Sequence, residues 1–202
     1  MQEVFLVGDS ITMGYADRVA QLLDGKANVW RTRSPMFNNV IENGRWSGYT
    51  LNNLARHLWL KNIPKKIDVT HWNNGIWDTV IRSPEDGPFT PPDEYARNLQ
   101  RIARELLKLS NRVIFATTIP PRKDEYIDTL NGFDYPDRYH EHTVQYNEIA
   151  RRVLIPMGVE IEDMYSLVLP NRDTVIREDD NTHLTDVGIE ACAAMVVQSI
   201  LR

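Results

Sequence analysis

Near its amino terminus the chain reads Val4-Phe5-Leu6-Val7-Gly8-Asp9-Ser10, and this stretch decides the fold. The four apolar residues form a run too short for a helix and typical of a strand that is buried on both faces of a parallel sheet. Gly8 and Asp9 favour a tight turn, and residues 11–23 carry apolar side chains at helical spacing. Ser10 is therefore expected at the carboxyl edge of the sheet, where free backbone N–H groups favour an oxyanion. It is either a nucleophile or part of a turn with an N-cap.

Strand and helix patterns alternate along the rest of the chain. This alternation predicts one α/β domain over residues 1–202, with a parallel sheet covered by helices on both faces. The further strands are predicted at Asn28 to Arg31, Ile67 to Trp72, Arg112 to Ile119 and Val159 to Ile161. The further helices are predicted to start at Thr50 as N-cap, near Asp93, near Thr143 and at Thr185 as N-cap.

Composition and charge exclude several classes of protein. The 202 residues carry a formal charge of −5, which argues against a nucleic-acid partner, since phosphate binding needs a concentrated positive surface. No apolar run approaches the roughly 18 residues of a membrane span, and nothing resembles a signal peptide. The sequence as given thus predicts a cytoplasmic protein without a membrane partner, unless a leader has been removed. Cys192 is the only cysteine and is predicted to pack inside a helix.

Two long polar stretches are candidates for the walls of a binding site. Residues 33–49 include Asn38, Asn39 and Gly48, and we expect Gly48 just before a helix, with its N–H free to face a ligand. Residues 122–141 are charged and aromatic without a clear period, and their tyrosines and Phe133 could line a substrate cleft. Arg33, Arg45 and Arg122 could bind an acidic substrate, although solvated surface is the default for each.

A second candidate for chemistry is the segment Asp180-Asn181-Thr182-His183, which precedes the last helix. A carboxylate three residues before a histidine can accept a hydrogen bond from one ring nitrogen and so fix the tautomer of the other. If this turn lies at the same sheet edge as Ser10, His183 could move the proton of the serine. The alternative is an Asx turn followed by a surface histidine.

Taken together, three motifs resemble blocks I, II and V of the SGNH hydrolases, also called GDSL esterases and lipases. They are Gly8-Asp9-Ser10, Ser47-Gly48-Tyr49-Thr50 and Asp180-Asn181-Thr182-His183-Leu184. The resemblance implies a flavodoxin-like α/β/α sandwich with a parallel sheet of about five strands. It also implies that Ser10 is the nucleophile, His183 the base and Asp180 its orienting acid, with the N–H groups of Ser10 and Gly48 in the oxyanion hole.

The third block departs from the family pattern. The family usually has Gly-x-Asn-Asp, whose asparagine supplies a further oxyanion donor, whereas this chain has Gly75-Ile76-Trp77-Asp78. Asn73 is the favoured substitute, because some branches carry Asn-x-Gly-x-x-Asp at this place. Asn74 and the indole of Trp77 remain possible donors.

The resemblance and the polar, aromatic loops predict a serine esterase that removes a small acyl group, in the first instance acetyl, from a carbohydrate or related metabolite. Lipases and acyl thioesterases use the same apparatus. A non-catalytic glycan-binding domain is the alternative from another class, with Trp77 as a stacking platform. We expect no cofactor and no metal, because His140-Glu141-His142 lacks a further clustered ligand. The expected partner is a small-molecule or glycan ester, and the sequence does not specify the oligomeric state.

Overall fold

The structure is a computed structural model, which describes residues 1–34, 38, 40–124, 126–127, 132 and 135–202. Asn39 and Phe133, two of the loop residues considered above, lie outside these residues. The strands are β1 (Gln2–Val7), β2 (Ala27–Arg31), β3 (Arg33–Ser34), β4 (Val40–Ile41), β5 (Ile67–Trp72), β6 (Ser110–Ala116) and β7 (Glu160–Glu162). The helices are α1 (Ser10–Leu22), α2 (Ser47–Ala55), α3 (Pro92–Leu109), α4 (His140–Leu154), α5 (Met164–Val168), α6 (Arg172–Val175) and α7 (Asp186–Ile200).

Five strands form one parallel sheet in the order β2-β1-β5-β6-β7. In β1, Val4 pairs with Val29 on one side and with Val69 on the other. Flavodoxin has the same strand order. The chain adds β2 on one side of β1 and the later strands on the other side, so the strand order reverses between β1 and β5. The prediction of a flavodoxin-like sheet of about five parallel strands is confirmed. The loops after β1 and β5 diverge at this reversal point, which is where open α/β sheets bind ligands.

Helices cover both faces of the sheet and enclose two apolar cores. One core packs β1 and β5 against α1 and α7, with Tyr15, Val19 and Val196 fully buried. The other packs the opposite face against α2, α3 and α4, with Leu54, Leu99 and Tyr146 fully buried. The apolar stripe of each helix thus faces the sheet, as its spacing requires, and the result is a three-layer sandwich.

The start of α2 differs from the prediction. Thr50 is not its N-cap: the helix begins at Ser47, Trp46 is the cap residue, and Gly48 is the second residue of the helix rather than a residue before it. The cause is Asp78, whose carboxylate accepts hydrogen bonds from the backbone N–H of Ser47 at 3.1 Å and from its Oγ at 2.6 Å. A carboxylate from a distant loop therefore caps the helix, which local sequence patterns do not reveal.

Three further boundaries depart from expectation. The stretch 33–49 is not only loop, because β3 and β4 pair antiparallel within it. Strand β6 ends at Ala116 rather than at Ile119, and α4 begins at His140 rather than near Thr143. Asp163 and Thr185 cap α5 and α7 with their side chains, and the prediction of Thr185 as a cap is confirmed.

Candidate active site

Ser10 is the first residue of α1 and follows β1 directly. Asp9 is the N-cap of this helix, and its carboxylate accepts a hydrogen bond from the N–H of Ile11 at 3.0 Å. Gly8 has no room for a side chain, because a Cβ there would lie 2.2 Å from Oγ1 of Thr12. The tight turn therefore places Ser10 at the carboxyl edge of the sheet with the amino end of α1 beneath it.

The structure brings His183 and Asp180 to this serine. Nε2 of His183 lies 2.9 Å from Oγ of Ser10, and Nδ1 lies 2.7 Å from Oδ2 of Asp180. If Asp180 accepts a hydrogen bond from Nδ1–H, the lone pair of Nε2 faces the serine hydroxyl. The imidazole is then oriented to take the serine proton.

Asp180 is held as an anion by its own loop. Its Oδ1 accepts hydrogen bonds from the backbone N–H groups of Thr182 at 3.0 Å and of His183 at 2.9 Å. Burial acts to raise the pKa of Asp180, but the hydrogen bonds from His183 outweigh it and leave the pKa below its ordinary value. The carboxylate therefore keeps its charge near neutral pH and can stabilise an imidazolium.

The loop that carries Asp180 and His183 is fixed at several points. Asn181 has a positive φ of 58°, and its Oδ1 accepts a hydrogen bond from the N–H of Lys123 at 2.6 Å. The N–H of Arg177 donates to the carbonyl of His183 at 2.7 Å. These contacts hold a tight turn that brings the ring of His183 back to Asp180. Two side chains three residues apart in the sequence are therefore able to form a hydrogen bond.

Gly48 lies in the first turn of α2, where backbone N–H groups have no acceptor one turn earlier in the helix. A side chain at this position would meet the indole of Trp46, since a Cβ would lie 2.8 Å from its Nε1. The glycine is thus required by a close ring contact, and its N–H belongs to a helix end that favours negative charge.

Asn73 and Asn74 differ sharply in their surroundings. The side chain of Asn74 is fully engaged, because its Oδ1 accepts from Nε1 of Trp72 at 2.7 Å and its Nδ2 donates to the carbonyl of Arg45 at 2.9 Å. Asn74 is fully buried, and these two bonds hold its amide away from a role at the surface of the cleft. Asn73 lies beneath the Gly8-Asp9 turn, where its Oδ1 accepts from Oγ1 of Thr12 at 3.2 Å and from the N–H of Asp9 at 3.4 Å. That arrangement leaves its amide NH₂ for another acceptor.

Trp77 stands at the asparagine position of the third-block motif. Its ring is partly buried against the apolar core of α1 and α7, and it also lines an open cleft of about 660 Å³. The other residues of this cleft include the three members of the Ser-His-Asp group together with Asn43, Val80, Arg82, Asp137 and Arg138. Trp77 thus forms a wall of the cleft that contains Ser10.

Two further carboxyl groups lie near the site but below its surface. Asp78 caps α2 as described above, and burial raises its pKa to about 6. Burial also raises the pKa of Asp9 to about 7, although the N–H of Ile11 acts to lower it. Neither carboxyl group reaches the cleft, and both fix the loops that form it.

His140, the first histidine of the His140-Glu141-His142 motif, is engaged by side chains. Its Nε2 lies 2.7 Å from the hydroxyl of Tyr165, and its Nδ1 lies 3.0 Å from Asp124. Within the described ranges, no group of three or more histidine, cysteine, aspartate or glutamate side chains is arranged to hold a metal ion. The described helices include none that is long and apolar enough to cross a membrane.

Sequence reasoning missed several residues of this edge. Arg82, Asp137 and Arg138 line the cleft, yet they come from stretches without periodicity and carry no motif. Asp78 could have been found, because it follows the family pattern of the third block, as Gly75 also does. The role of Asp78 as the cap of α2 could not have been found from the sequence, because that contact joins residues 31 positions apart.

Comparisons with solved structures agree with this architecture. A lipase/acylhydrolase from Enterococcus faecalis superposes with a TM-score of 0.71 at 20% identity, over 99% of this chain and 95% of that one. An acetylxylan esterase from Geobacillus stearothermophilus gives a TM-score of 0.69 at 17% identity, over 98% and 94% of the two chains. A member of the lipolytic G-D-S-L family from Veillonella parvula gives 0.69 at 14% identity, over the full length of both chains. No family profile and no curated protein sequence matches the chain.

The class defined by these observations is the flavodoxin-like α/β/α fold of GDSL-type lipases and esterases. At this level of identity the comparisons establish the fold alone, and the chemistry has to be argued from the site.

Proposed function

We propose that the chain is a member of the SGNH hydrolases and acts as a carboxylic ester hydrolase, with Ser10 as nucleophile, His183 as general base and Asp180 as the orienting acid. The observation that carries this proposal is the continuous hydrogen-bond path from Ser10 through both ring nitrogens of His183 to Asp180. A turn with a surface histidine has no need of such a path. The path also ends in an open cleft that can admit a substrate.

The proposed reaction proceeds in two halves. Oγ of Ser10 attacks the ester carbonyl carbon while Nε2 of His183 takes the hydroxyl proton, and the carbonyl oxygen becomes an oxyanion. Collapse of this tetrahedral species breaks the ester C–O bond, and the imidazolium protonates the departing alcohol. Water, deprotonated by His183, then attacks the acyl-serine and releases the acid. Asp180 stabilises the imidazolium in both halves.

For the oxyanion we propose three donors, namely the backbone N–H groups of Ser10 and Gly48 and the side-chain amide of Asn73. The first two belong to the amino ends of α1 and α2, which favour negative charge. Asn73 is supported by its place beside Asp9 and by the orientation of its Oδ1 toward two protein donors. Asn74 is not proposed, since both ends of its amide are occupied.

The proposed substrate is a small acyl ester, in the first instance an acetyl ester, of a carbohydrate or related metabolite. The cleft supports this choice, because it combines one aromatic wall, Trp77, with polar and charged side chains rather than forming a closed apolar channel. Solved structures with this fold include two acetylxylan esterases.

The test is hydrolysis of p-nitrophenyl acetate and of an acetylated sugar by the wild type and by Ser10→Ala. We expect turnover by the wild type and a loss of about 10⁴-fold or more in the variant, because removing the nucleophile ends the covalent route. Absence of turnover with both proteins over a broad pH range would reject the esterase. Binding of an acetylated glycan by Ser10→Ala, combined with that absence, would favour a glycan-binding domain.

A further inference from the structure

Arg138 is a buried cation in the wall of the cleft that contains Ser10. Its relative exposure is only 6%, although it lines the same cleft as Ser10 and His183. Arginine is seldom buried without a partner, because removing a charge from water is costly unless that charge is compensated. Arg138 therefore needs an explanation that the proposed triad does not supply.

The described residues accept few of the hydrogen bonds that the guanidinium of Arg138 can donate. One nitrogen, Nη1, donates to Oγ1 of Thr182 at 2.8 Å, while Nε is buried without a hydrogen-bond partner among the residues that the structure describes. No carboxylate of the described residues lies within 4.0 Å of the Arg138 guanidinium, whereas Arg112 and Arg172 each form a close ion pair with a carboxylate. A guanidinium offers five N–H donors in a planar fork, so most of its hydrogen-bonding capacity is left for a ligand.

The surrounding carboxyl groups do not neutralise Arg138. Burial lowers the pKa of Arg138, and the more distant charges of Asp137, Asp9 and Asp180 only partly oppose this effect. Asp9 is itself a poor counter-ion near neutral pH, because burial raises its pKa to about 7. Asp180 is engaged by His183 at 2.7 Å, and Asp137 faces the cleft as a further wall residue. The positive charge of Arg138 is thus only partly compensated by the described carboxyl groups.

We propose that Arg138 recognises a carboxylate on the ester substrate, so that the preferred substrate is the acetyl ester of an acidic sugar such as a uronic acid. This inference rests on the proposed function, since it assigns the substrate class of the same cleft. A carboxylate accepts two parallel hydrogen bonds from a guanidinium, which gives both affinity and a fixed orientation. Arg82, an exposed cation on the rim of the same cleft, adds attraction for an anion.

A competing explanation assigns Arg138 only a positioning role. Through Thr182 it touches the loop that carries His183, so its removal could disturb the base without any contact with substrate. The two explanations differ in what a matched pair of ligands would show. A positioning role affects acidic and neutral substrates alike, whereas recognition affects only the acidic one.

The first measurement is binding by calorimetry of methyl glucuronoside and methyl glucoside to Ser10→Ala, which removes turnover from the readout. We expect the acidic ligand to bind about 10- to 100-fold more tightly, as for a hydrogen bond to a buried charged group. Equal binding of the two ligands, or tighter binding of the neutral one, overturns the inference. This holds whether or not the wild type hydrolyses esters, so failure of the esterase proposal remains distinguishable.

The second measurement compares kcat/KM for acetylated methyl glucuronoside and acetylated methyl glucoside in the wild type and in variants. Arg138→Gln is expected to lower the ratio of acidic to neutral kcat/KM by about 10- to 100-fold. Thr182→Val removes the hydroxyl that accepts a hydrogen bond from Arg138 but keeps the guanidinium, so it is expected to preserve the ratio of acidic to neutral kcat/KM. Arg97→Gln, an exposed arginine on α3, is the surface control and is expected to change neither rate. An unchanged ratio in Arg138→Gln, or the same loss in Thr182→Val, assigns Arg138 to positioning.

Discussion

Two histidine–carboxylate pairs in this molecule have nearly the same geometry and very different surroundings. His183 and Asp180 are 2.7 Å apart at the sheet edge, and their side chains are 43% and 32% exposed. His71 on β5 and Glu162 on β7 are 2.8 Å apart inside the sheet, and their side chains are 0% and 2% exposed. The first pair continues to Ser10, whereas Nδ1 of His71 has no hydrogen-bond partner.

The difference shows that an oriented imidazole is not by itself a catalytic base. The ring of His71 is packed edge-on against Tyr15, in the core between the sheet and the helices α1 and α7. Burial acts to raise the pKa of Glu162, but the charge and hydrogen bond of His71 outweigh it and hold that pKa below its ordinary value. The buried pair therefore contributes to stability, while the open pair contacts Ser10 and lines the cleft.

The largest effect should follow from disabling the open pair. His183→Ala is expected to lower kcat for p-nitrophenyl acetate by about 10⁴-fold or more, because Ser10 loses its base. The melting temperature should stay within a few degrees of the wild type, since the ring is 43% exposed. If His183→Ala kept more than a tenth of the wild-type kcat, the open pair would not differ in function from the buried pair.

The buried pair should respond in the opposite way. Glu162→Ala is expected to reduce the free energy of unfolding by about 3–5 kcal/mol, because it leaves His71 buried without its partner. Its kcat, measured well below the melting temperature, should remain within a few-fold of the wild type. Asp180→Ala is the matched change in the open pair, with an expected cost of less than about 1 kcal/mol in stability. Urea unfolding of both variants decides between these outcomes.

The neighbours Asn73 and Asn74 give a second comparison between a proposed catalytic group and a structural one. Asn73→Ala is expected to lower kcat by about 10² to 10³, the usual cost of losing one oxyanion donor. Asn74→Ala removes bonds to Trp72 and to the carbonyl of Arg45, so it should lower the melting temperature with a smaller effect on kcat. The reverse pattern in these two variants would move the proposed donor from Asn73 to Asn74.

The last effect concerns Asp9, a buried acid that forms no ion pair with the other described residues. Burial raises its pKa to about 7, above the value of about 4 expected in the unfolded chain. Between these values the folded state binds the proton more tightly, so this group favours folding at low pH and opposes it as the pH rises toward 7. Asp9→Asn ends the titration and can still accept the N–H of Ile11.

The stability of Asp9→Asn relative to the wild type should therefore increase between pH 4 and pH 8, by roughly 4 kcal/mol, because each pKa unit between about 4 and about 7 contributes about 1.4 kcal/mol. Urea unfolding at several pH values measures this difference. A difference that stays flat across the range would show that Asp9 keeps an ordinary pKa in the folded protein.

The sequence was informative wherever a pattern is local. The apolar run before Gly8 predicted β1, and the spacing of three residues between Asp180 and His183 predicted a pair that the structure forms. The predicted start of α2 was wrong, because the carboxylate that caps this helix belongs to Asp78, in another loop. Local patterns also left Asn73 and Asn74 open, since their difference depends on tertiary hydrogen bonds.

Arg138 could not have been selected from the sequence. It belongs to an aperiodic stretch that also contains Arg122, and only the fold places it against the cleft. The sequence pointed instead to Arg33, Arg45 and Arg122. Of these, Arg45 lies over the ring of Tyr49 at 4.7 Å, and Arg122 donates to the carbonyl of Ile176 at 2.8 Å. Long-range packing, rather than residue type, distinguishes these arginines.

The most direct test of Ser10 as an activated nucleophile is labelling with a fluorophosphonate, followed by peptide mass spectrometry. We expect one adduct on Ser10 in the wild type, strongly reduced labelling in His183→Ala, and normal labelling in Glu162→Ala below its melting temperature. Labelling of the wild type at another residue, or equal labelling of Ser10 in His183→Ala, would contradict the role of the open histidine–aspartate pair.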